Sequence, residues 1–205
     1  MPQRESPNRL FRSLAAVVLI AAAAGGIWLW RGERVPDTLR AFLLSSDGTL
    51  EIRVKDHREA IGDFAVLEVI VETIRIGPES GIAPPTMEWT ELNPSPNTVD
   101  LTRFTGKDSA RIFKGSLPRG NFAALHVRLH PVTGTLKNNQ KKVPVADLTS
   151  PIRLPFSIQS KVQTLIVLDL VVVDMSDHPP RAYDLHVGGY ELYTDGRLIA
   201  RVPPA

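Results

Sequence analysis

Hydrophobic positions follow two different patterns along this chain. Near the N-terminus, residues 14–30 form a run of seventeen residues without a charge. From residue 41 onward, apolar and polar positions mostly alternate, as in the Leu-Glu-Ile-Arg-Val-Lys stretch at 50–55. A period of two residues is typical of a strand with one buried face and one solvated face. The pattern therefore predicts one N-terminal helix followed by a domain of β-strands.

Two longer stretches predict the main strands of that domain. Residues 64–76 alternate, but the apolar positions change parity after Val71, which predicts a β-bulge near Glu72 and Thr73. Residues 162–173 are apolar on both faces except at three polar positions. Such a run is typical of a central strand that is covered on both sides.

Turn signals separate these strands. Asp-Gly pairs at 47–48 and 195–196 supply the positive φ angles that tight hairpins need. Residues 134–145 predict a small hairpin, and the proline-rich stretch 77–98 predicts a long loop broken by a short strand. Seven to nine strands with short turns predict an all-β fold over residues 41–205, an antiparallel β-sandwich of the transthyretin or immunoglobulin type.

The uncharged run fits a transmembrane helix. As a helix its seventeen residues span about 25 Å, slightly less than a hydrocarbon core of about 30 Å. Aromatic and basic residues at both ends suit the lipid interface, and the predicted interfacial anchors are Phe11, Arg12, Trp28 and Trp30. We therefore divide the chain into a cytoplasmic N-terminal tail (1–12), a transmembrane anchor (13–30), a stalk (31–40) and an extracytoplasmic domain (41–205).

A cleaved signal peptide is the alternative interpretation of this run. Arginines precede it, and the small residues at 21–24 could suit a peptidase. However, the run continues through apolar residues 27–30, where a signal peptide normally ends in small or polar residues. We therefore favour an uncleaved single-pass anchor in the inner (cytoplasmic) membrane.

The orientation of the anchor follows weakly from charge. Three arginines lie on each side of the run, so the positive-inside rule is nearly tied. The N-terminal amine alone breaks the tie, and we predict a cytoplasmic N-terminus with the C-terminal domain in the periplasm or extracytoplasmic space mostly because of the family resemblance described below.

Small residues in the predicted anchor lie at helical spacing. Ala21 with Gly25, and Ala22 with Gly26, form small-x-x-x-small pairs on one helix face each. Such pairs allow another backbone to approach closely within a membrane, so these four residues are candidates for helix packing. A generic alanine-rich anchor is the alternative.

Charge distribution argues against nucleic-acid binding. The chain has a formal net charge of +2 and a pI near 9.0. Residues 41–205, however, contain 18 Lys or Arg and 19 Asp or Glu, so the domain is close to neutral and has no stripe for a phosphate backbone. The chain contains no cysteine, which excludes a lipid-bearing cysteine anchor.

Catalytic and metal-binding motifs are absent from the sequence. There is no Gly-x-Ser-x-Gly, no Ser-x-x-Lys and no His-Glu-x-x-His. His126 and His130 share a strand face but lie about 13 Å apart, too far to share a metal ion. We therefore predict no enzyme activity, no cofactor and no small-molecule substrate.

Acidic residues near the C-terminus raise the question of calcium. Asp174, Asp177 and Asp184 could supply oxygens, but an ordinary acidic turn is the favoured interpretation because a calcium loop motif is lacking. Asp169 lies inside the most apolar strand, and we expect it to accept hydrogen bonds rather than act in catalysis.

A lysine cluster marks the tip of the hairpin predicted at 134–145. Lys137, Lys141 and Lys142 could contact anionic lipid headgroups or an acidic partner. A solvated hairpin turn is the alternative interpretation.

Eight short segments occur in an order and spacing that match a known family. They are Gly-Thr-Leu-x-Ile-x-Val (48–54), Val-Ile-Val-Glu-Thr-Ile-Arg-Ile (69–76), Trp-Thr-x-Leu (89–92), Val-Asp-Leu (99–101), Leu-Pro-x-Gly-Asn-Phe (117–122), Leu-x-Val-Arg-Leu (125–129), Val-Pro (143–144) and Thr-Leu-Ile-Val-Leu-Asp-Leu (164–170). Through them, residues 48–187 resemble a bacterial domain-of-unknown-function family of extracytoplasmic β-sandwiches, usually lipoproteins or secreted proteins.

The resemblance implies a fold and a compartment but no activity. The chain departs from the family pattern in two places. A helix is predicted where the family carries its lipid-bearing cysteine. An acidic segment of the family is replaced here by residues 54–60, which leaves only Asp56 for any ligand role of that segment.

Two functional hypotheses follow. The first is a non-catalytic, membrane-anchored accessory or scaffold subunit that packs on the integral membrane proteins of a larger complex, with photosynthetic and respiratory assemblies as candidates. The second is a free-standing envelope binding module for a carbohydrate, a peptide or calcium.

Overall fold

The computed structural model describes residues 47–57, 59–77, 89–177, 179–180 and 182–203. The predicted tail (1–12), transmembrane anchor (13–30) and stalk (31–40) lie outside these residues and stay predictions. Within the described part of the chain, no helix is long and apolar enough to span a membrane.

Strands account for most of the described residues. They are β1 (Gly48–Lys55), β2 (Phe64–Gly77), β3 (Thr90–Leu92), β4 (Thr98–Asp100), β5 (Ala110–Leu117), β6 (Gly120–Leu129), β7 (Val132–Leu136), β8 (Lys142–Asp147), β9 (Ile152–Ile158), β10 (Gln163–Asp174), β11 (Tyr183–Thr194) and β12 (Arg197–Val202). The helical segments of the described residues are two 3₁₀ turns, Glu59–Asp63 and Leu101–Arg103. The predicted all-β class is confirmed.

The predicted number of strands, seven to nine, is too low. The twelve strands include β3 and β4, which have three residues each and are too short to show alternation. Strand β9 carries Pro155 at its centre, and an internal proline weakens the sequence signal for a strand.

The strands form one sheet in the order β5-β1-β10-β11-β8-β7-β2-β6-β9, with β12 beside β11 and both β3 and β4 beside β2. Two of its pairs, β1 with β10 and β8 with β11, are parallel. The prediction of a purely antiparallel arrangement is therefore wrong. The residue pattern of a strand reveals which faces are buried, but not the direction of a neighbour that lies more than a hundred residues away.

Strand β2 contains the β-bulge that its sequence predicts. Its pairing with β6 shifts register between Val71 and Thr73, which confirms the predicted bulge. Residues 64–68 pair with β7, whereas residues 71–77 pair with β6. The two halves of β2 therefore pair with different strands.

Strand β10, predicted to be central, is an interior strand of the sheet. It lies between β1 and β11, and residues 166–172 are all buried. Ile166, Leu168 and Leu170 belong to the main hydrophobic core together with Ile52 of β1. The prediction of a strand covered on both faces is confirmed.

The far end of the sheet returns to this centre. Strand β9 contacts both β1 and β10, and the Thr164 hydroxyl donates a hydrogen bond of 3.0 Å to the Ser157 carbonyl oxygen. The sheet therefore folds over its own core.

The two Asp-Gly pairs have different structural roles. Asp195 and Gly196 both adopt positive φ angles, 46° and 76°, and form the predicted two-residue turn between β11 and β12. Gly48, in contrast, lies inside β1 opposite Leu117, and its φ is not positive. A Cβ atom there would collide with the Gln159 carbonyl oxygen and the Ile158 side chain, so the reason for this glycine is close packing.

Candidate interaction face

The membrane residues predicted from the sequence cannot be placed. Phe11, Arg12, Trp28 and Trp30, and the packing candidates Ala21, Ala22, Gly25 and Gly26, lie outside the described residues. They stay predictions.

The predicted lysine tip lies at an exposed turn between β7 and β8. Lys137, Lys141 and Lys142 are all exposed, and none forms an ion pair with a carboxylate of the described residues. The turn is held by local bonds, including one of 2.9 Å from the Lys141 amide to the Asn139 side-chain oxygen. Both the partner-contact hypothesis and the solvated-turn hypothesis fit this placement.

The acidic residues considered for calcium do not converge. Asp174 pairs with Tyr183, and Asp184 pairs with the preceding residue Val173, so the two carboxylates point to opposite faces of the sheet. Asp174 accepts a hydrogen bond from the Ser176 amide at 2.8 Å, as acidic turns do. No group of three potential metal ligands occurs among the described residues.

Asp56, the residue that the family resemblance left for a ligand role, is part of the folded interior. It is fully buried, and its carboxylate accepts a hydrogen bond of 3.0 Å from the Val172 amide of β10. It therefore joins the end of β1 to the central strand.

The side chains of β1 that point away from the main core form a charged surface. Glu51, Arg53 and Lys55 alternate with core residues, and the strand register places them in rows with residues of β5, β10, β11 and β12. We call this surface the polar face. It is defined by Glu51, Arg53, Lys55, Lys114, Gln163, Val167, Asp169, Glu191, Tyr193 and Arg201.

Glu51 is the most enclosed charge of the polar face. It is only 4% exposed, yet its carboxylate accepts bonds from Arg53 Nε at 2.7 Å, Lys114 Nζ at 3.0 Å and Gln163 Nε2 at 3.1 Å. Burial by itself raises the pKa of Glu51, but the hydrogen bonds from Arg53 and Lys114 outweigh it and hold the pKa below its usual value. Glu51 is therefore charged and fully paired at neutral pH.

Glu191 is the centre of a second set of bonds. Its carboxylate accepts a bond of 2.7 Å from the Tyr193 hydroxyl and forms longer ion pairs of 3.4 Å with Lys55 and Arg201. Burial by itself raises the pKa of Glu191. The Tyr193 hydrogen bond and the Lys55 charge outweigh burial, so the pKa lies below its usual value. The same bond, with burial, raises the pKa of Tyr193. These contacts tie β1, β11 and β12 together.

A histidine–aspartate pair lies at one end of the polar face. His57 Nδ1 is 2.8 Å from Asp169 Oδ1, and the His57 side chain is partly exposed whereas Asp169 is buried. This confirms that Asp169 accepts a hydrogen bond. A carboxylate and the imidazole it orients are two of the three members of a hydrolytic triad, but no hydroxyl of the described residues hydrogen-bonds to this ring.

Sequence reasoning missed the partners of these carboxylates. Gln163 lies 112 residues from Glu51, and His57 lies 112 residues from Asp169. The alternation around Glu51 predicts an outward side chain, but it carries no signal for a partner on another strand.

The last strand forms an exposed edge beside the polar face. Strand β12 pairs only with β11 among the described residues. Leu198, Ile199 and Val202 are 48%, 57% and 45% exposed, and they are three of the most exposed large hydrophobic residues in the described chain. Arg197 and Arg201 on the same strand are also exposed. The edge therefore combines unpaired backbone, apolar side chains and positive charge.

These observations define an all-β domain with a network of ion pairs around buried carboxylates on one sheet face, and beside it an edge strand with exposed apolar and basic side chains. The chain belongs to the family described as domain of unknown function DUF4382, whose sequence model matches residues 47–184. Strand β12 follows the matched region. No curated protein and no solved structure shows significant similarity to this chain.

Proposed function

We propose that this protein is a non-catalytic, membrane-anchored accessory subunit, which acts as a scaffold by contact rather than by turnover. In this proposal, its domain is a β-sandwich of the transthyretin or immunoglobulin type that lies outside the inner membrane and binds an integral membrane protein of a larger complex. Photosynthetic and respiratory assemblies are candidate complexes.

The observation that carries the proposal is the edge strand β12. Natural edge strands are usually protected by charge, proline or short length, because unpaired backbone recruits other strands. Strand β12 carries two exposed arginines, Arg197 and Arg201, but it also exposes three large apolar side chains, Leu198, Ile199 and Val202. An edge of this kind can bind a partner segment by strand addition, in which backbone hydrogen bonds supply affinity and side chains supply specificity.

Charge indicates which partner segment fits. Arg197 is exposed and forms no ion pair with a carboxylate of the described residues, and Arg201 reaches Glu191 only at 3.4 Å while staying 60% exposed. A partner strand with acidic residues opposite these two arginines would add cross-strand ion pairs. The proposed occupant is therefore an extended, acidic and partly apolar segment.

The polar face supports this edge. Glu191 binds Arg201 of β12, Tyr193 of β11 and Lys55 of β1, so the edge is joined to the central strands by side chains as well as by backbone pairing. A rigid edge loses less conformational entropy when a partner binds.

The predicted stalk limits where the partner can lie. Ten residues at 31–40 reach at most about 35 Å when fully extended. A domain on such a stalk stays close to the bilayer. The partner should accordingly be embedded in the membrane or bound to it.

Site-specific photocrosslinking in native membranes tests the proposal. A photoreactive amino acid at position 199 should crosslink the full chain to an integral membrane protein. The matched control is the same group at position 148, because Leu148 is exposed to a similar extent, 48%, but lies in the loop after β8.

Two outcomes would contradict the proposal. Crosslinking of both positions to the same unselective set of proteins would show that β12 is not a specific edge. Crosslinking of position 199 to no membrane protein would instead favour the alternative function, a free-standing envelope binding module.

A further inference from the structure

We propose that an arginine-lined cleft next to the polar face binds a phosphoryl group, either free or in a lipid headgroup. The cleft lies between the N-terminal end of β5 and the segment that contains β4 and the 3₁₀ turn Leu101–Arg103. It has a volume of about 380 Å³ and is lined by Arg53, Arg103 and Arg111, together with Ser109, Asp100 and Phe104 among others. The inference is independent of the strand-addition proposal.

The three arginines come from different parts of the chain. Arg53 lies on β1, Arg111 on β5 and Arg103 at the end of the 3₁₀ turn. The polar face orients Arg53, because its Nε donates a bond of 2.7 Å to the buried Glu51. Its Nη1 group lies 3.5 Å from the Ser109 hydroxyl, which places the guanidinium beside one wall of the cleft.

Two of these arginines face each other across paired strands. The register places Arg53 opposite Arg111 at a bulge between β1 and β5. Like charges directly opposite each other are destabilising in a sheet. Arg53 has Glu51 as a partner, but no carboxylate of the described residues forms an ion pair with Arg111 or Arg103. An anion between them would offset this repulsion.

The carboxylate in the cleft is already engaged. One oxygen of Asp100 accepts bonds from the Leu67 amide at 3.1 Å, the Thr102 amide at 3.2 Å and the Thr102 hydroxyl at 2.8 Å. These bonds fix the 3₁₀ turn and commit Asp100 to the fold. Asp100 keeps its negative charge, but three arginines line the cleft against this one carboxylate, so the lining has an excess of positive charge.

The chemistry of the lining selects a phosphoryl group. Guanidinium groups bind phosphate oxygens through paired, charge-assisted hydrogen bonds and stay protonated at any physiological pH. A phosphomonoester carries a charge of about −1.5 to −2 and three acceptor oxygens, whereas a carboxylate carries one charge and two oxygens. Three arginines and a serine hydroxyl match the larger number of acceptors, and the apolar walls formed by Val99, Ala110 and Phe104 can hold the attached group.

Calorimetric titration of the full chain in a nonionic detergent tests the site. The probes are inorganic phosphate, acetate and dihexanoyl phosphatidic acid. We expect phosphate to bind and Arg111→Gln to weaken its binding by about tenfold or more, the size of one lost charge-assisted hydrogen bond. Arg119→Gln is the matched control, because Arg119 is an exposed residue outside the cleft.

The Arg111→Gln variant also separates binding from folding. It removes the like charge opposite Arg53, so its melting temperature should equal or exceed that of the wild type while phosphate affinity falls. Higher salt should weaken phosphate binding to the wild type, because the cleft is open to solvent.

The comparison of probes decides between sources of the phosphoryl group. Phosphatidic acid that binds about tenfold more tightly than inorganic phosphate would assign the cleft to a lipid headgroup. Equal affinities would assign it to free phosphorylated solutes.

Three results would overturn the proposal: no heat of binding with phosphate, acetate that binds as tightly as phosphate, or Arg119→Gln as harmful as Arg111→Gln. None of them bears on crosslinking at position 199, so the two proposals can fail separately.

Discussion

The two faces of the central strands are both buried, but by different means. On the inner face, Ile52 of β1 and Ile166, Leu168 and Leu170 of β10 pack into the aliphatic core. On the polar face, Val167 and Asp169 of β10 are also almost fully buried, at 6% and 4% exposure. In the strand register, however, Val167 lies between the charged residues Arg53 and Glu191, and Asp169 lies beside Lys55.

The difference shows that burial alone does not define a hydrophobic core. Long side chains such as arginine and lysine cover a sheet with their aliphatic stems while their charged ends reach carboxylates or water. The buried carboxylate of Glu51 is tolerated on that face because three side chains donate hydrogen bonds to it. Substitutions that exchange the chemistry of the two faces should therefore have unequal effects.

The largest effect is expected from a new charge on the inner face. Leu168→Asp places a carboxylate in the aliphatic core, where it has no donor, and should cost several kcal/mol, enough to unfold a domain of ordinary stability. Val167→Asp is the matched substitution one residue away, where the new carboxylate would lie between Arg53, which attracts it, and Glu191, which repels it. We expect a smaller loss than for Leu168→Asp, because a cation and solvent are within reach on the polar face, and urea unfolding of the full chain in nonionic detergent measures the difference. Equal losses at both positions would contradict the distinction between the faces.

A smaller effect is expected when the polar face loses its central acid. Glu51→Ala removes the carboxylate that Arg53, Lys114 and Gln163 share and should cost about 1–3 kcal/mol, because hydrogen bonds to a buried charged group are lost. The control is Glu68→Ala, since Glu68 is exposed on β2 and forms no ion pair with a described residue. Its effect should stay within about 0.5 kcal/mol. If the two variants have equal stability, the network around Glu51 does not stabilise the fold.

The smallest expected effect is a change in how the unfolding free energy depends on pH. The pKa values of Glu51 and Glu191 are lowered in the folded protein, so both groups favour the folded state when they are ionised. Their contribution is present above the ordinary glutamate pKa of about 4.3 and is lost as the pH falls through the lower folded values.

The change in unfolding free energy between pH 6.5 and pH 3.5 measures this contribution. Glu51→Gln should lose less stability than the wild type on acidification, whereas Glu68→Gln should lose about as much. A Glu51→Gln protein with unchanged acid sensitivity would show that Glu51 does not titrate with folding.

Short sequence patterns correctly predicted several features of the fold. The apolar run at 162–173 predicted a central strand because both faces of β10 must be covered, whichever strands cover it. The change of parity after Val71 predicted the bulge, since a change of face requires an extra residue. Asp195 and Gly196 predicted a hairpin because few residues tolerate two positive φ angles in succession.

Other features could not be predicted from short patterns, because they depend on residues that are distant in the sequence. Gly48 suggested a turn, but it has a strand conformation. A glycine is needed there because Ile158 and Gln159 leave no space for a Cβ atom. The arginine cleft has no signature in the sequence, since Arg53, Arg103 and Arg111 belong to separate segments.

The sequence by itself determined the all-β class, the central position of β10, the bulge in β2 and the turn before β12, because each depends on the periodicity or backbone preference of neighbouring residues. Only the tertiary structure decided the parallel pairing of β1 with β10 and thereby the contents of the polar face. Strand register brings Gln163 to Glu51 and places Arg53 opposite Arg111. Such long-range pairings are selected by the packing of the whole sheet, and no local pattern encodes them.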